Sequence, residues 1–271
     1  GCYAQTQAEL LAAIDGVTFV VGNDQKHKIA DLLSGPLSDR PRIFAGDIFL
    51  QKQLPFAPPS RLAGRTRAFF KIQDGCNAFC SYCIVPFARG KSRSLPVPDV
   101  LKGAQNFSLQ DYREIVLTGI HLGYYGHDLQ PRTDLAHTLE TLLSQNPKTR
   151  FRLSSIEPNE ISDDLLRLFG HFDNLCPHLH IPLQSGDDSI LKMMKRGYDT
   201  AFYRALIENV IRTVADIAVG IDVMVGFPGE GEKEFSHTQR LLEELPVAYL
   251  HVFPYSERPG TAALAIHPKV P

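Results

Sequence analysis

The chain has 271 residues, 44% of them hydrophobic, which suits one large domain or one and a half around a substantial core. Five cysteines, an odd number with three of them clustered, exclude a secreted disulfide framework and fit a reducing, cytoplasmic compartment. A net charge of −2 advertises no nucleic-acid partner, so any such surface has to be local; no apolar run approaches the ~18 residues of a membrane span, and no signal peptide opens the chain.

The chain begins Gly1-Cys2 without a Met and reads as a fragment whose true start lies upstream. Gln7 to Ile14 is expected to form a short helix, Val17 to Gly22 a buried strand, and Asp24 to Leu33 a second helix, together the tail of an α/β unit. From about Ser34 to Gly64, Pro36, Pro41, Pro55, Pro58 and Pro59 fall in a stretch with little periodicity, which marks a linker and puts a domain boundary near residue 60.

Beyond that linker, strand-like and helix-like segments alternate. Strands are expected at Ala68 to Gln73, Glu114 to Gly119, Arg150 to Ser155, His178 to Leu183, Ile217 to Gly226 and Ala248 to Phe253. Helical patterns lie between them at Val97 to Leu109, Leu135 to Ser144, Ser162 to Phe169, Asp187 to Met194, Ala201 to Val214 and Glu232 to Leu245. Six βα repeats imply an α/β fold with a parallel sheet curved into part of a barrel. Each strand runs into a cluster of Gly, Pro, Ser or charged residues, and in parallel α/β folds ligands bind at these carboxyl ends. All six clusters should therefore meet at one mouth.

The first cluster carries Cys76, Cys80 and Cys83 in Asp74-Gly-Cys-Asn-Ala-Phe-Cys-Ser-Tyr-Cys. Three thiolates at C-x3-C-x2-C leave a metal site one ligand short of a closed zinc site or a four-cysteine [4Fe-4S] cluster. A zinc knuckle completed by a distant His, or three unrelated thiols, are the competing readings. Cys176, His178 and His180, spaced with the period of two of a strand, could suggest another metal site, but read rather as a core Cys beside barrel histidines.

The spacing of Cys76, Cys80 and Cys83, with an aromatic residue before the last, resembles the signature of radical S-adenosylmethionine (radical SAM) enzymes. Further stretches resemble the successive motifs of the radical SAM methylthiotransferases: Gly1-Cys-Tyr-Ala-Gln, Ile84-Val-Pro-Phe-Ala-Arg-Gly, Arg152-Leu-Ser-Ser-Ile-Glu-Pro, His180-Ile-Pro-Leu-Gln-Ser-Gly, Met194-Lys-Arg-Gly-Tyr and Asp222-Val-Met-Val-Gly-Phe-Pro-Gly-Glu. Val116 to Gly126 and Leu153 to Pro158 resemble the branch that methylthiolates N6-threonylcarbamoyladenosine at position 37 of tRNA; other branches act on isopentenyladenosine or a ribosomal-protein aspartate. The resemblance implies a partial (β/α)6 radical SAM barrel over residues 61–271, preceded by the remainder of a methylthiotransferase domain over 1–60. A carboxyl-terminal RNA-binding domain, usual in this family, lies outside this chain.

The resemblance also implies the cofactors, SAM and two [4Fe-4S] clusters in the intact enzyme. Cys76, Cys80 and Cys83 would hold the SAM-binding cluster, and Cys2 would be one of three ligands of an auxiliary cluster, incomplete here and leaving the fragment incompetent for full turnover. Tyr82 would lie near the SAM adenine, as would Gly226 and Gly229; Thr118 and Gly119 would receive the methionyl amino group, Ser155 and Glu157 the ribose or amino group, and Arg196 the carboxylate. A flavodoxin- or ferredoxin-like protein would donate the electron, and the sulfur donor stays open. Arg61, Arg65, Arg67, Lys71, Arg89, Lys91 and Arg93, interleaved with Phe79, Tyr82 and Phe87, suggest a basic rim for a tRNA anticodon loop, against the alternative of a solvated charged face. Two other classes remain: a radical SAM enzyme of another reaction class, and a non-catalytic iron-sulfur or RNA-binding scaffold.

Overall fold

The computed structural model describes residues 1–35, 41–56 and 66–270. The amino-terminal unit contains α1 (Cys2–Thr6), α2 (Ala8–Ala12), β1 (Phe19–Val21), α3 (Ile29–Leu33) and β2 (Arg42–Phe44). The helix expected at Gln7 to Ile14 is the shorter α2, preceded by an unexpected α1, and the one expected from Asp24 contracts to α3 behind a 3-10 turn at Lys26–Lys28. β2 was not expected, because it lies in the stretch read as linker. It pairs in parallel with β1, Phe19 opposite Arg42 and Val21 opposite Phe44. Arg42 lies over both flanking rings, 5.9 Å from Phe19 and 5.0 Å from Phe44, so side-chain stacking supports a strand too short to show a period. The boundary expected near residue 60 falls outside the described residues.

The rest follows the expected alternation: β3 (Arg67–Lys71), β4 (Gln73–Asp74), α4 (Val85–Arg89), β5 (Arg93–Ser94), α5 (Val97–Leu109), β6 (Glu114–Thr118), α6 (Leu135–Gln145), β7 (Arg150–Leu153), α7 (Asp163–His171), β8 (His178–His180), α8 (Asp188–Met193), α9 (Thr200–Thr213), β9 (Ala218–Val225), α10 (Glu232–Glu244) and β10 (Tyr249–Pro254). β3, β6 and β7 form one parallel sheet, and β8, β9 and β10 another. The two are joined where Phe151 N–H donates to Asn174 O at 2.7 Å and Cys176 N–H to Phe151 O at 2.8 Å. Six parallel strands therefore run in the order β3-β6-β7-β8-β9-β10, an open half-barrel with β3 and β10 as its edges.

Alternation along each strand separates outside from inside. Ile115, Leu117, Phe151, Leu179 and Ile221 are fully or almost fully buried and pack beneath α5, α6, α7 and α9, where Val100, Leu139, Leu165 and Ile207 meet them. The opposite faces, with Phe69, Arg152, His180 and Asp222, line the inner wall. Helix starts are fixed by side chains: Asp134, Ser162, Asp187 and Asp199 each accept a backbone N–H of the first turn of α6, α7, α8 and α9. The caps of α6, α7 and α8 close loops leaving the ends of β6, β7 and β8, and that of α9 closes the turn from α8. Among the described residues, no helix is long and apolar enough to cross a membrane.

Candidate active site at the cysteine loop

The cysteine loop leaves β4 and returns through α4 to β5, which pairs antiparallel with β4, Gln73 opposite Ser94 and Asp74 opposite Arg93. This two-residue pairing was not expected, and it closes the base of the loop. Gly75 has φ +79°, and a Cβ there would stand 2.1 Å from Lys91 O. Only glycine fits both the backbone angle and the approach of the returning chain. Cys76 N–H donates to Gly90 O at 3.1 Å, and Ser92 N–H to Asn77 Oδ1 at 3.1 Å. The far side is clipped by Ser81, whose N–H donates to Met194 O at 3.0 Å while its carbonyl accepts Ala263 N–H at 2.8 Å.

Gln73 is a residue that sequence reasoning took only as a strand end. It is fully buried; its Nε2 donates to Gly75 O at 2.8 Å and Ser92 Oγ at 2.9 Å, and its Oε1 accepts His121 N–H at 2.8 Å. It therefore ties the cysteine loop to the turn after β6. Gly119 is packed against it, with room for no Cβ, since one would lie 2.7 Å from Gln73 Oε1. Thr118 O accepts Ile72 N–H at 3.0 Å, so these two expected SAM contacts serve in the first place to hold the loop base.

His121 was also missed as an individual residue. Its Nδ1 lies 3.3 Å from Cys76 Sγ and its Nε2 2.5 Å from Glu160 Oε1. Burial works against its charge, yet the bonds to Cys76 and Glu160 outweigh it and carry the pKa up to about 10. Asp74 shows the same balance with the opposite sign: burial opposes its charge, but Lys71 at 2.6 Å and Arg89 at 3.6 Å hold the carboxyl below its usual range.

Cys76, Cys80 and Cys83 are free thiols, each partly exposed. Burial pushes the Cys83 thiol up to about 11, so it binds metal only by giving up a proton. Among the described residues, the group whose ligating atoms all lie within 4.8 Å of one another is on the inner wall and does not include these cysteines. Three thiols on one loop are one ligand short of a closed zinc site or a four-cysteine cluster, and this donor set fits an iron-sulfur cluster with one unligated iron.

Around the thiols stand the other expected residues. Arg196 has a side chain 4% exposed; its guanidinium lies 3.4 Å from Cys80 Sγ, 3.5 Å from Tyr82 Oη and 3.0 Å from Tyr198 Oη, and it pairs with Glu157. Arg196 and Glu157, expected to grip different parts of SAM, are thus held together beside the second cysteine. Ser155 is exposed and bonds neither of them. Tyr82 packs on a small separate core of Ile190, Met194, Met224, Phe227 and Ala263, with its ring edge-on to Phe227 at 6.4 Å. Gly226 (φ +75°) and Gly229 (φ +90°) form the turn after β9 next to this core, and Gly229 N–H donates to Pro268 O at 2.8 Å. The apolar floor beside the cysteines suits a planar base.

The expected basic rim divides between surface and interior. Arg67 bonds Glu114 at 2.8 Å and Lys71 bonds Asp74 at 2.6 Å, yet both side chains stay on the surface, 51% and 44% exposed. Arg89 turns to Asp74 at 3.6 Å, and Arg93 is 6% exposed with its guanidinium on Arg89 O at 2.7 Å, so a desolvated carboxylate and carbonyl draw these two inward. Arg61 and Arg65 lie outside the described residues. Lys91, Phe79 and Phe87 do reach the surface beside the loop, the two rings edge-on at 5.7 Å.

Arg89 also reaches the amino-terminal unit. Its Nε donates to Cys2 Sγ at 3.3 Å, while Asn23 Nδ2 donates to Ala88 O at 2.7 Å. Cys2 on α1 therefore rests against α4, one helix away from the cysteine loop.

Gly75→Ala is expected to lower stability by about 2–4 kcal/mol and to reduce iron uptake, because strain at positive φ adds to the clash with Lys91. Gly16→Ala is the control: its φ is +81° with nothing within 4 Å of an added Cβ, so only the backbone cost of about 1 kcal/mol applies. Thermal melts and iron content of the two variants check this.

The sequence profile described as "Radical SAM superfamily" matches residues 70–242. Threonylcarbamoyladenosine tRNA methylthiotransferase MtaB of Aquifex aeolicus is 36% identical over 100% of this chain and 66% of its own length. A tRNA-2-methylthio-N(6)-dimethylallyladenosine synthase of Trichlorobacter lovleyi is 35% identical over 97% of this chain and 60% of its own length. Among solved structures, the radical S-adenosylmethionine methyltransferase TsrM of Kitasatospora setae superposes with a TM-score of 0.62 at 14% identity, covering 72% of this chain and 38% of that one, which is a likeness of fold. The chain thus spans about two thirds or less of the length of these curated relatives.

Proposed function

Because the chain belongs to the radical SAM superfamily, whose cofactors are a [4Fe-4S] cluster and SAM, we propose that the protein it comes from is a radical SAM methylthiotransferase acting on C2 of N6-threonylcarbamoyladenosine at position 37 of tRNA. The observation that carries this reading is the seat of Cys2. A methylthiotransferase needs a sulfur-delivering site next to its radical-generating site, and Arg89 joins the Cys2 thiol to the helix that leaves the cysteine loop.

Cys76, Cys80 and Cys83 would hold the SAM-binding cluster, with Cys2 one ligand of the auxiliary cluster. With the cluster reduced and SAM bound, the site would supply the radical chemistry that removes hydrogen from a substrate carbon. The protein's own part is positional. Arg196 offers a fork of donors to the SAM carboxylate within reach of Cys80, and Glu157, already its partner, is placed to take the amino group. Tyr82 and Phe227 give the adenine an apolar bed, and Gly226 and Gly229 let the backbone approach it. His121 and Glu160 fix the mouth opposite, where Gln73 joins the loop to β6. The exposed Phe79 and Phe87 offer stacking faces to an unstacked anticodon-loop base, and Lys91 a phosphate contact. Such an enzyme works in the cytoplasm with a small electron-donor protein of flavodoxin or ferredoxin type.

The dimethylallyladenosine branch is a second reading, favoured by a relative of nearly equal identity. Mass spectrometry of tRNA nucleosides from a strain lacking the gene separates the two. Loss of the 2-methylthio form with build-up of plain N6-threonylcarbamoyladenosine is expected. Loss of 2-methylthio-isopentenyladenosine instead would transfer the enzyme to the other branch.

A further inference from the structure

We propose that the inner wall of the half-barrel holds a second, mononuclear metal site, made by His180 on β8, Asp222 on β9 and His251 on β10, for a divalent first-row transition ion. The three ligating atoms all lie within 4.8 Å of one another, and this is the group so gathered among the described residues. His180 Nε2 is 2.8 Å from Asp222 Oδ1, and His251 Nδ1 is 3.3 Å from the same oxygen. Ligands about 2.0–2.1 Å from one ion stand about 2.9–3.4 Å apart, so each histidine already stands near that spacing from Asp222. Two imidazoles and one carboxylate, with no thiolate, suit zinc or ferrous iron over calcium, magnesium or a copper(I) site.

The surroundings are built to hold the histidine rather than to leave it to chance. Tyr249 Oη lies 3.3 Å from His180 Nδ1 and 2.8 Å from His178 Nε2. Without a metal, His180 Nε2–H donates to Asp222 Oδ1; an entering ion would displace that proton, and Nδ1–H donating to Tyr249 Oη would hold the ring in place, the second contact that metal-binding histidines characteristically make. Gly220 makes this possible, because a Cβ there would stand 2.0 Å from Tyr249 Cζ; its absence lets the tyrosine ring lie across β9. The site also grades from buried to open: side-chain exposure is 8% for His180, 21% for Asp222 and 62% for His251. Three protein ligands leave coordination positions toward the barrel interior, as in sites that take water or a substrate oxygen. Sequence spacing gave no warning, since the ligands come from three strands and Cys176, the nearest thiol in the sequence, lies apart and directs its Sγ to Glu114 at 3.8 Å.

The test uses the anaerobically reconstituted chain, given one equivalent of zinc chloride and desalted before iron and zinc are both measured. The expected result is about one zinc per chain with iron undiminished, and a zinc K-edge spectrum fitted by nitrogen and oxygen neighbours at about 2.0 Å. His251→Ala, at an exposed edge-strand position, and Asp222→Asn should each weaken zinc binding at least tenfold while keeping their iron and their melting temperature. Zinc at background in the iron-loaded chain, sulfur neighbours at about 2.3 Å, or undiminished zinc in His251→Ala would each overturn the proposal and leave the trio as an ion pair only.

Discussion

Replacing any one of Cys76, Cys80 or Cys83 by Ala is expected to strip the reconstituted chain of its cluster and to take SAM cleavage below detection. The three thiols share one loop, and no other cysteine can substitute: Cys2 is held by Arg89 and Cys176 is buried at 1% exposure beside Glu114. Two thiolates leave a cubane with two open irons, which does not survive. The fold should survive, because the cysteines are partly exposed and the main core lies beneath the helices, away from them. Iron content should fall from about four per chain to near zero with little change in the thermal melt. A variant that retains a full complement of iron would remove that cysteine from the ligand set.

Arg196→Lys is expected to weaken SAM binding about 100-fold, on the order of 3 kcal/mol, without loss of iron. Lysine keeps the charge but not the planar fork, and cannot at once reach Glu157, Tyr198 and a carboxylate. Because the side chain is 4% exposed, water does not make up the missing bonds. Equilibrium dialysis of labelled SAM against the iron-loaded variant reads the effect. Wild-type affinity with a lowered melting temperature would assign Arg196 to holding Glu157 and Tyr82 alone.

The half-barrel was legible because its strands announce themselves locally. Ile115-Val-Leu and Val223-Met-Val are apolar runs with clear ends, and Asp134, Ser162 and Asp199 mark helix starts by chemistry that acts over three residues. What stayed hidden depends on partners far away in the chain. β2, β4 and β5 are two or three residues long and show no period. Gln73 and His121 gain their meaning from each other across 48 residues, and His121 from Glu160 on yet another loop. The basic rim was legible only in part. A charge count knows where Arg89 and Arg93 are, but not that Asp74 and the Arg89 carbonyl would draw them in while Arg67 and Lys71 stay on the surface. The cysteine spacing was readable since one loop carries all three thiols, whereas the trio on the inner wall needed the barrel to bring it together.

The most direct measurement is electron paramagnetic resonance of the anaerobically reconstituted, dithionite-reduced chain, recorded with and without SAM. The account predicts a single reduced [4Fe-4S] signal per chain whose g values shift when SAM is added, because one iron lacks a protein ligand. Iron binding with a spectrum indifferent to SAM, or stoichiometric zinc on the cysteines and no iron, would contradict it.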